Sequence, residues 1–325
     1  MDKRLTSNDI AELACVSQTT VSLVLRNKWK GRVSPAVAEK ILTLCDENNY
    51  RVNHAARSLR SGHAKNIALV VPDSENPFFS RILHNLRRVS SKQSYVCLLI
   101  ETDNNPNWYS YIEDSILGNE IDIAIVCYND LPRRNSAIDK QIILINDYFL
   151  DFNSISIDFF AAVKDGVGRL FKKGYKQLVH VRGMIEKPTF TSRIVAFNEA
   201  CAELGVFHND IVIQGHTNND LESKLETAKS SFTYPTAFFI DDDLFAPGLY
   251  KFSQKHGLTI GRDIGVISLD DTFLCSFFTP SLSSYGYDIN IMVEKIMEII
   301  DKIHSGGQEP EHFTISMYLN SGSSF

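Results

Sequence analysis

From residue 66 onward the chain repeats one pattern: a short run rich in Val and Ile, then an amphipathic stretch. The runs read NIALVVP, YVCLLIE, IDIAIVCY, QIILIND, QLVHVRG, TAFFID and IGVISLD. A run that is apolar at nearly every position, rather than at alternate ones, suits a strand buried on both faces. Stretches such as FSRILHNLRRVS and FFAAVKDGVGRLFKKG lie between them, with apolar residues at helical spacing. Strand–helix alternation predicts an α/β fold with a doubly wound parallel sheet. Roughly 260 residues follow this start, more than one such sheet holds, so two lobes are expected.

The first fifty residues carry helix signals instead. Thr6 with Asp9 three residues later forms a capping-box pattern, with Ile10, Leu13 and Ala14 on one face behind it. Ser17 caps a second helix with Val21, Val24 and Leu25 on one face. Ser34 and Pro35 start a third, whose buried stripe is Val37, Ala38, Ile41, Leu42 and Cys45. The first two helices meet across a tight turn at Cys15-Val16, which is the spacing of a helix-turn-helix. The second helix turns Ser17, Gln18, Thr19, Ser22 and Leu23 outward. Gln pairs bidentately with adenine, and Thr or Leu meets a thymine methyl. Arg26, Lys28, Lys30 and Arg32 follow within reach of phosphates. A plain three-helix bundle with a solvated polar face would show much the same pattern.

Charge separates the two parts. Residues 1–62 carry ten Lys or Arg against six Asp or Glu, while the rest carries 23 against 33. A basic head on an acidic body directs phosphate to the head alone. Six scattered cysteines without a C-x-x-C pair argue against zinc or a disulfide framework and suit a cytoplasmic setting. No apolar run is long enough for a membrane span, and MDKRLTSNDIAEL lacks a signal-peptide pattern. No phosphate-cradling glycine loop, nucleophile elbow or metal-ligand spacing is present, so neither a catalytic residue, a metal nor a cofactor is expected. A free-standing sugar-binding protein would lack the basic head.

The segments LTSNDIAELACVSQTTVSLVLRNK, VSPAVAEKILTLCDENNYRVNHAARSLRSG and IALVVPDSENPFF resemble the lactose-repressor (LacI/GalR) family of bacterial transcription regulators. The resemblance continues in order through GVGRLFKKGYKQLVHVRG, TSRIVAFNEACAELG, PTAFFIDDDLFAPGLY, GVISLDD and TPSLSSYGYDI. It implies a helix-turn-helix head at 1–50, a hinge helix and linker at 51–64, and a periplasmic-binding-protein-like core at 65–325. The core's first lobe would take about 65–160 plus 290–325, and the second about 161–289. The partners implied are double-stranded operator DNA, a small-molecule effector and a second copy in a homodimer.

Residue by residue, Gln18, Thr19 and Leu23 match positions where the family reads bases, and Ser17, Thr20, Ser22 and Asn27 positions that hold the DNA backbone. Leu23 stands where many members carry a guanine-gripping Arg. The hinge NHAARSLRSG supplies Asn53, Arg57, Leu59 and Arg60, with Leu59 as a wedge between base steps; packing of Leu59 on its own core is the bland alternative.

Ligands of such folds bind at the carboxyl ends of the strands. Asp73, Phe78-Phe79, Asp158, Asp241 to Asp243, Asp270-Asp271 and Arg193 lie where strands end or helices begin. By family position the effector contacts are Phe78, Phe79, Lys187, Thr189, Arg193, Asp242, Asp270 and Tyr287. Core packing competes for Phe78 and Phe79, and a helix-cap role is preferred for Asp241 and Asp243. The chain departs from the family at Cys15 (usually Gly), Val52 (Pro), Asp242 (Asn) and Ser268 (Gly), and lacks a near-terminal Arg. Whether the effector releases the protein from DNA or is required for binding is open at this point.

Overall fold

The computed structural model describes residues 5–50, 64–103, 105–127, 131, 137–184, 188–214 and 218–325. They fall into two compact units, one ending at Ala64 and the other running from Lys65 to Phe325. The hinge residues Val52, Asn53, Arg57, Leu59 and Arg60, and also Lys187, lie outside the described residues.

The small unit holds α1 (Ser7–Ala14), α2 (Gln18–Leu25) and α3 (Pro35–Glu47) around Ile10, Val21 and Ile41. Each helix starts on the expected cap: Thr6, Ser17 and Ser34 accept the backbone N–H of Asp9, Thr20 and Val37. Leu13 and Leu42 were expected in the stripe but are 49% and 45% exposed. Ala11 takes the inner place instead, because Leu13 sits about 100° from the centre of the arc set by Ile10, Ala11 and Ala14.

All three helices end alike. Cys15, Asn27 and Asn49 adopt φ of 60°, 54° and 47°. The N–H groups of Val16, Lys28 and Tyr50 reach back to the carbonyls of Ala11, Leu23 and Cys45, the Schellman closure. Asn tolerates the left-handed region; Cys does not. Cys15→Gly is therefore expected to stabilise the head by about 0.5–1 kcal/mol. Amide-exchange protection across α1–α3 in the full chain should rise about two- to fivefold; unchanged protection would show that Cys15 carries no strain.

The large unit contains two six-stranded sheets. The first is built from β1 (Asn66–Val71), β2 (Val96–Glu101), β3 (Ile123–Cys127), β4 (Ile142–Ile145), β5 (Asn153–Ile157) and β11 (His312–Ile315), in the order β11-β5-β4-β3-β1-β2 and parallel throughout. The second holds β6 (Gln177–Gly183), β7 (Phe207–Ile213), β8 (Thr236–Ile240), β9 (Ile264–Leu269), β10 (Ser283–Gly286) and β12 (Tyr318–Asn320), in the order β12-β10-β9-β8-β6-β7. Only its edge strand β12 runs antiparallel. Helices α4 (Pro77–Ser90), α5 (Trp108–Leu117) and α10 (Ile289–His304) accompany the first sheet, and α6 (Phe159–Lys172), α7 (Pro188–Leu204), α8 (Asn218–Ala228) and α9 (Ala246–Lys255) the second.

Two expectations need correction. The segment 290–325 does not stay with the first lobe: β11 does, but β12 and the tail join the second sheet. The buried Ser324 exchanges hydrogen bonds with Val266 and accepts the N–H of Ser283. The run YVCLLIE is not buried on both faces. As β2 it lies at a sheet edge, with Val96, Leu98 and Leu99 exposed.

One apolar core runs beneath both lobes, from Ile67 and Phe78 to Tyr285 and Met292. The chain passes between the sheets at Asp158, at Tyr287-Asp288 and at Ser316-Met317. The carboxyl ends of both sheets thus share a seam of short connections.

Candidate functional site

Two surfaces carry the candidate residues. On the head, Ser17, Gln18, Thr19 and Asn27 are exposed, and Thr20, Ser22 and Leu23 are half-buried on α2. Ser17 Oγ lies 2.9 Å from Thr20 Oγ1 and also caps the helix. Gln18 Nε2 donates to Ser7 Oγ at 2.7 Å, which aims the amide across the start of α1. Asn27 serves the left-handed closure of α2, a backbone role beside any DNA contact. Lys40 Nζ donates to the carbonyl of Ala14 at 3.1 Å, so its charge sits at the negative end of α1.

The second surface is the seam of the core. Strands β8 and β9 pair with Ile240 beside Ser268, so the chain leaves them with Asp241–Asp243 next to Asp270-Asp271. Their carboxyl groups are sorted by their partners. Asp243 accepts Ser268 Oγ, Ser284 Oγ (2.9 Å) and the N–H of Thr272 (2.7 Å), a fully built-in structural carboxylate. Asp241 Oδ1 faces buried His180 Nε2 at 2.9 Å, and the imidazole stacks on Phe197. Burial pushes the Asp241 carboxyl up, but His180, Arg193 and Arg182 outweigh it and hold it below the ordinary range. The cap expected of Asp241 or Asp243 falls to Asp242, whose Oδ1 accepts the N–H of Leu244 at 2.9 Å. The reason is register: the helical turn starts at Asp243, one residue later than a cap at Asp241 needs.

Arg193 and Asp270 form the centre. Arg193 is 2% exposed, lies 3.7 Å above the Phe159 ring centroid, and donates to the carbonyl of Asp241 at 3.2 Å. Its Nε–H finds no acceptor among the described residues. Asp270 is buried with φ of 88°, a region costly for a side chain other than Gly or Asn. Among the described residues its Oδ1 is without a donor, as is Asp241 Oδ2. Burial, then the charge of Asp242, drives the Asp270 carboxyl well above the ordinary range; Arg193 opposes this, and Asp243 and Asp241 add to it. Ionised or neutral, these atoms lack the hydrogen bonds that buried polar groups ordinarily make.

Residues not singled out from the sequence tie the lobes together here. Asn76 caps α4 and donates through Nδ2 to Asp242 Oδ2 at 2.9 Å. Arg81, also on α4, donates to the carbonyls of Asp270 (3.1 Å), Asp271 (3.2 Å) and Tyr287 (3.2 Å). Thr189 Oγ1 donates to the carbonyl of Asn146 at the end of β4. Asn-Pro before FFSRIL was the legible sign of a cap; no sequence signal pointed Arg81 at three carbonyls over 180 residues away.

Phe78 and Phe79 meet edge to face at 5.3 Å within the shared core, and Phe78 leans on Tyr287 at 6.0 Å. Both are buried. Asp73 caps its own loop through the N–H groups of Glu75 and Asn76, and Asp158 caps α6. The structure therefore brings Arg193, Asp242, Asp270 and Tyr287 to one seam, with Thr189 on its second-sheet side.

Comparisons with known proteins agree with this architecture. Residues 6–53 match the family of bacterial regulatory proteins, lacI family, and residues 167–325 match the periplasmic binding protein-like domain. Catabolite control protein A of Priestia megaterium is 24% identical over 305 residues, covering 90% of this chain and 91% of that protein. The HTH-type transcriptional repressor PurR of Vibrio vulnificus (strain CMCP6) is 29% identical over 290 residues, covering 86% of each. The lac repressor dimer bound to operator and the anti-inducer ONPF superposes with a TM-score of 0.81 at 19% identity, covering 99% of both chains. That likeness is one of fold.

Proposed function

The chain belongs to the lacI family of bacterial regulatory proteins, and we propose that it reads operator DNA through α2 and is switched by a small molecule held between its two sheets. It is a transcriptional repressor with a helix-turn-helix head and a ligand-binding core. Gln18, Thr19 and Leu23 are the base readers; Ser17, Thr20, Ser22 and Asn27 hold the phosphate backbone. The hinge residues Asn53, Arg57, Leu59 and Arg60 are proposed to enter the minor groove, with Leu59 as the wedge. Its work is that of a regulator rather than an enzyme, in the cytoplasm where its DNA lies.

The observation that carries this reading is Arg193: a buried guanidinium at the carboxyl ends of the strands whose charge acts on the buried carboxyl of Asp270, while Arg193 Nε–H and Asp270 Oδ1 have no hydrogen-bond partner among the described residues. These two are proposed to hold the effector. Asp242 and Thr189 bind at its rim together with Lys187, and Phe78, Phe79 and Tyr287 wall the site. A ligand there touches both lobes, and it shifts DNA affinity only by preferring one arrangement of them. The exposed apolar edge of β2 supports a homodimer, and two helix-turn-helix heads suit half-sites about one DNA turn apart.

Selection of binding sites from random DNA should return a two-fold symmetric sequence with a thymine at the base pair facing Leu23. An essential guanine at that position overturns the assignment of Leu23. Operator titration with and without a bound ligand then tests the switch. Weaker binding identifies an inducer and tighter binding a corepressor, whereas unchanged affinity refutes effector control.

A further inference from the structure

Helix α4 reaches across the seam at two points. Asn76, its cap, donates to Asp242 at 2.9 Å, and Arg81 on its second turn donates to three main-chain carbonyls. One nitrogen, Nη1, takes the carbonyls of Asp270 (3.1 Å) and Asp271 (3.2 Å). Nη2 takes that of Tyr287 (3.2 Å), whose ring centroid lies 5.2 Å from the guanidinium carbon. Asp270 and Asp271 follow β9 in the second lobe, and Tyr287 starts one of the crossings between lobes. Both aspartates are left-handed, with φ of 88° and 47°. A strand turns successive groups to opposite sides, so two neighbouring carbonyls meet one nitrogen here because the pair is not extended. Backbone of this kind persists only where its surroundings over-determine it. From the second lobe, Ser284 Oγ accepts the N–H of Asp271, Asp243 accepts that of Thr272, and Asn320 donates to the Asp271 carboxylate. Gly286 packs against the same turn: a Cβ there would sit 2.7 Å from Asp271 Cβ. Among the described residues, Arg81 is the restraint on this turn that comes from the first lobe.

We propose that Arg81 is a positioning residue of the seam, a fork on α4 that holds the Asp270-Asp271 turn against the first lobe and so keeps the Asp270 carboxyl buried. The proposal takes Asp270 as an effector contact from the reading above; the restraint itself needs no ligand. A guanidinium suits the task because its donors are fixed in one plane, whereas the ammonium of a Lys is a point charge on a flexible stem. Without the fork, the left-handed pair loses its hold on one side and relaxes towards unstrained backbone. That carries the Asp270 carboxyl out of its burial beside Asp242, Arg193, Asp243 and Asp241, the charged groups that act on it. Through the same contact, a displacement of the turn by a ligand acts directly on α4.

A double-mutant cycle on the full-length protein, without ligand, tests this. Arg81→Met removes the fork and keeps an apolar stem; Arg81→Lys keeps the charge. Amide exchange in peptides spanning 268–276 should rise about tenfold in either variant, while β3 and β4 stay protected as before. Asp270→Asn is then added, and melting is followed from pH 5 to pH 8. In the native background the advantage of the amide grows with pH, because burial and Asp242 raise the carboxyl. Released to water, the carboxyl returns towards its ordinary range. Behind Arg81→Met or Arg81→Lys that growth should therefore fall by about half or more. Arg81 acting as a charge alone predicts the opposite: Arg81→Met raises the carboxyl further, the growth increases, and Arg81→Lys restores the native profile. That result overturns the proposal, as does an unchanged pH profile or unchanged exchange at 268–276. If Arg81→Met does not fold, Arg81→Lys decides alone, since a charge role leaves its profile native and a positioning role flattens it. No ligand enters the measurement, so failure here leaves the reading of the seam to the operator titration above.

Discussion

Asp270→Asn is expected to make the empty protein more stable and deaf to its effector. Asp270 is buried, holds an unfavourable φ, and has one oxygen with no donor among the described residues. Burial and the neighbouring Asp242 charge raise its carboxyl well above the ordinary range. A carboxyl whose folded pKa exceeds its unfolded value binds the proton more tightly when folded. The stability it lends is present below the unfolded value and is lost as pH rises through the raised one. Near neutral pH the native residue is therefore a liability, and the isosteric amide removes it. A gain of about 1–2 kcal/mol is expected, from the class of buried uncompensated charges, with the core melting several degrees higher. The advantage should grow from the ordinary carboxylate range upward and shrink towards acid pH. At the same time, effector affinity should fall at least tenfold, since a charge-assisted hydrogen bond contributes about 1.5–3 kcal/mol. Thermal melts across pH 4–8, with and without ligand, read both effects. A variant that melts lower at neutral pH and still responds would show that Asp270 is an ordinary structural residue.

Gln18→Ala is expected to uncouple the head from its operator without unfolding it. The amide is exposed and spends its Nε2 on Ser7 Oγ, a contact that costs little to lose at a surface. A bidentate amide–adenine pair contributes about 1–3 kcal/mol of discrimination. Operator affinity per half-site should thus drop about 5- to 150-fold, with relaxed preference at one base pair. The salt dependence should stay the same, because no phosphate contact is removed. Titrations of operator and a single-base variant at two salt concentrations make the comparison. Equal discrimination by the variant and the native protein would move base reading away from Gln18.

Much of this was legible before any coordinates. The caps Thr6, Ser17 and Ser34 could be read because a short polar side chain before an apolar period has few other uses. The buried Val and Ile runs announced β1, β3, β4, β6, β8 and β9, since continuous apolarity suits a central parallel strand. The same rule misassigned β2. An edge strand can carry the same apolar residues as a central one, and composition alone does not separate them. Strands β7, β10, β11 and β12 passed unseen because edge and late strands carry polar residues that alternate or break.

The chain's order of residues determined that a basic helix-turn-helix precedes an acidic, two-lobed α/β core, and that carboxylates and one arginine gather at strand ends. Those are properties of local pattern, periodicity and spacing along the backbone. Only the tertiary structure decided which carboxylate does what. Asp243 is consumed by Ser268, Ser284 and Thr272, and Asp242 is drawn to Asn76. Asp241 and Asp270 are left with unmet oxygens beside Arg193. Four acidic residues look alike in sequence; they differ once long-range packing sets each one's burial and donors, because a buried carboxylate's behaviour depends on the partners the fold supplies.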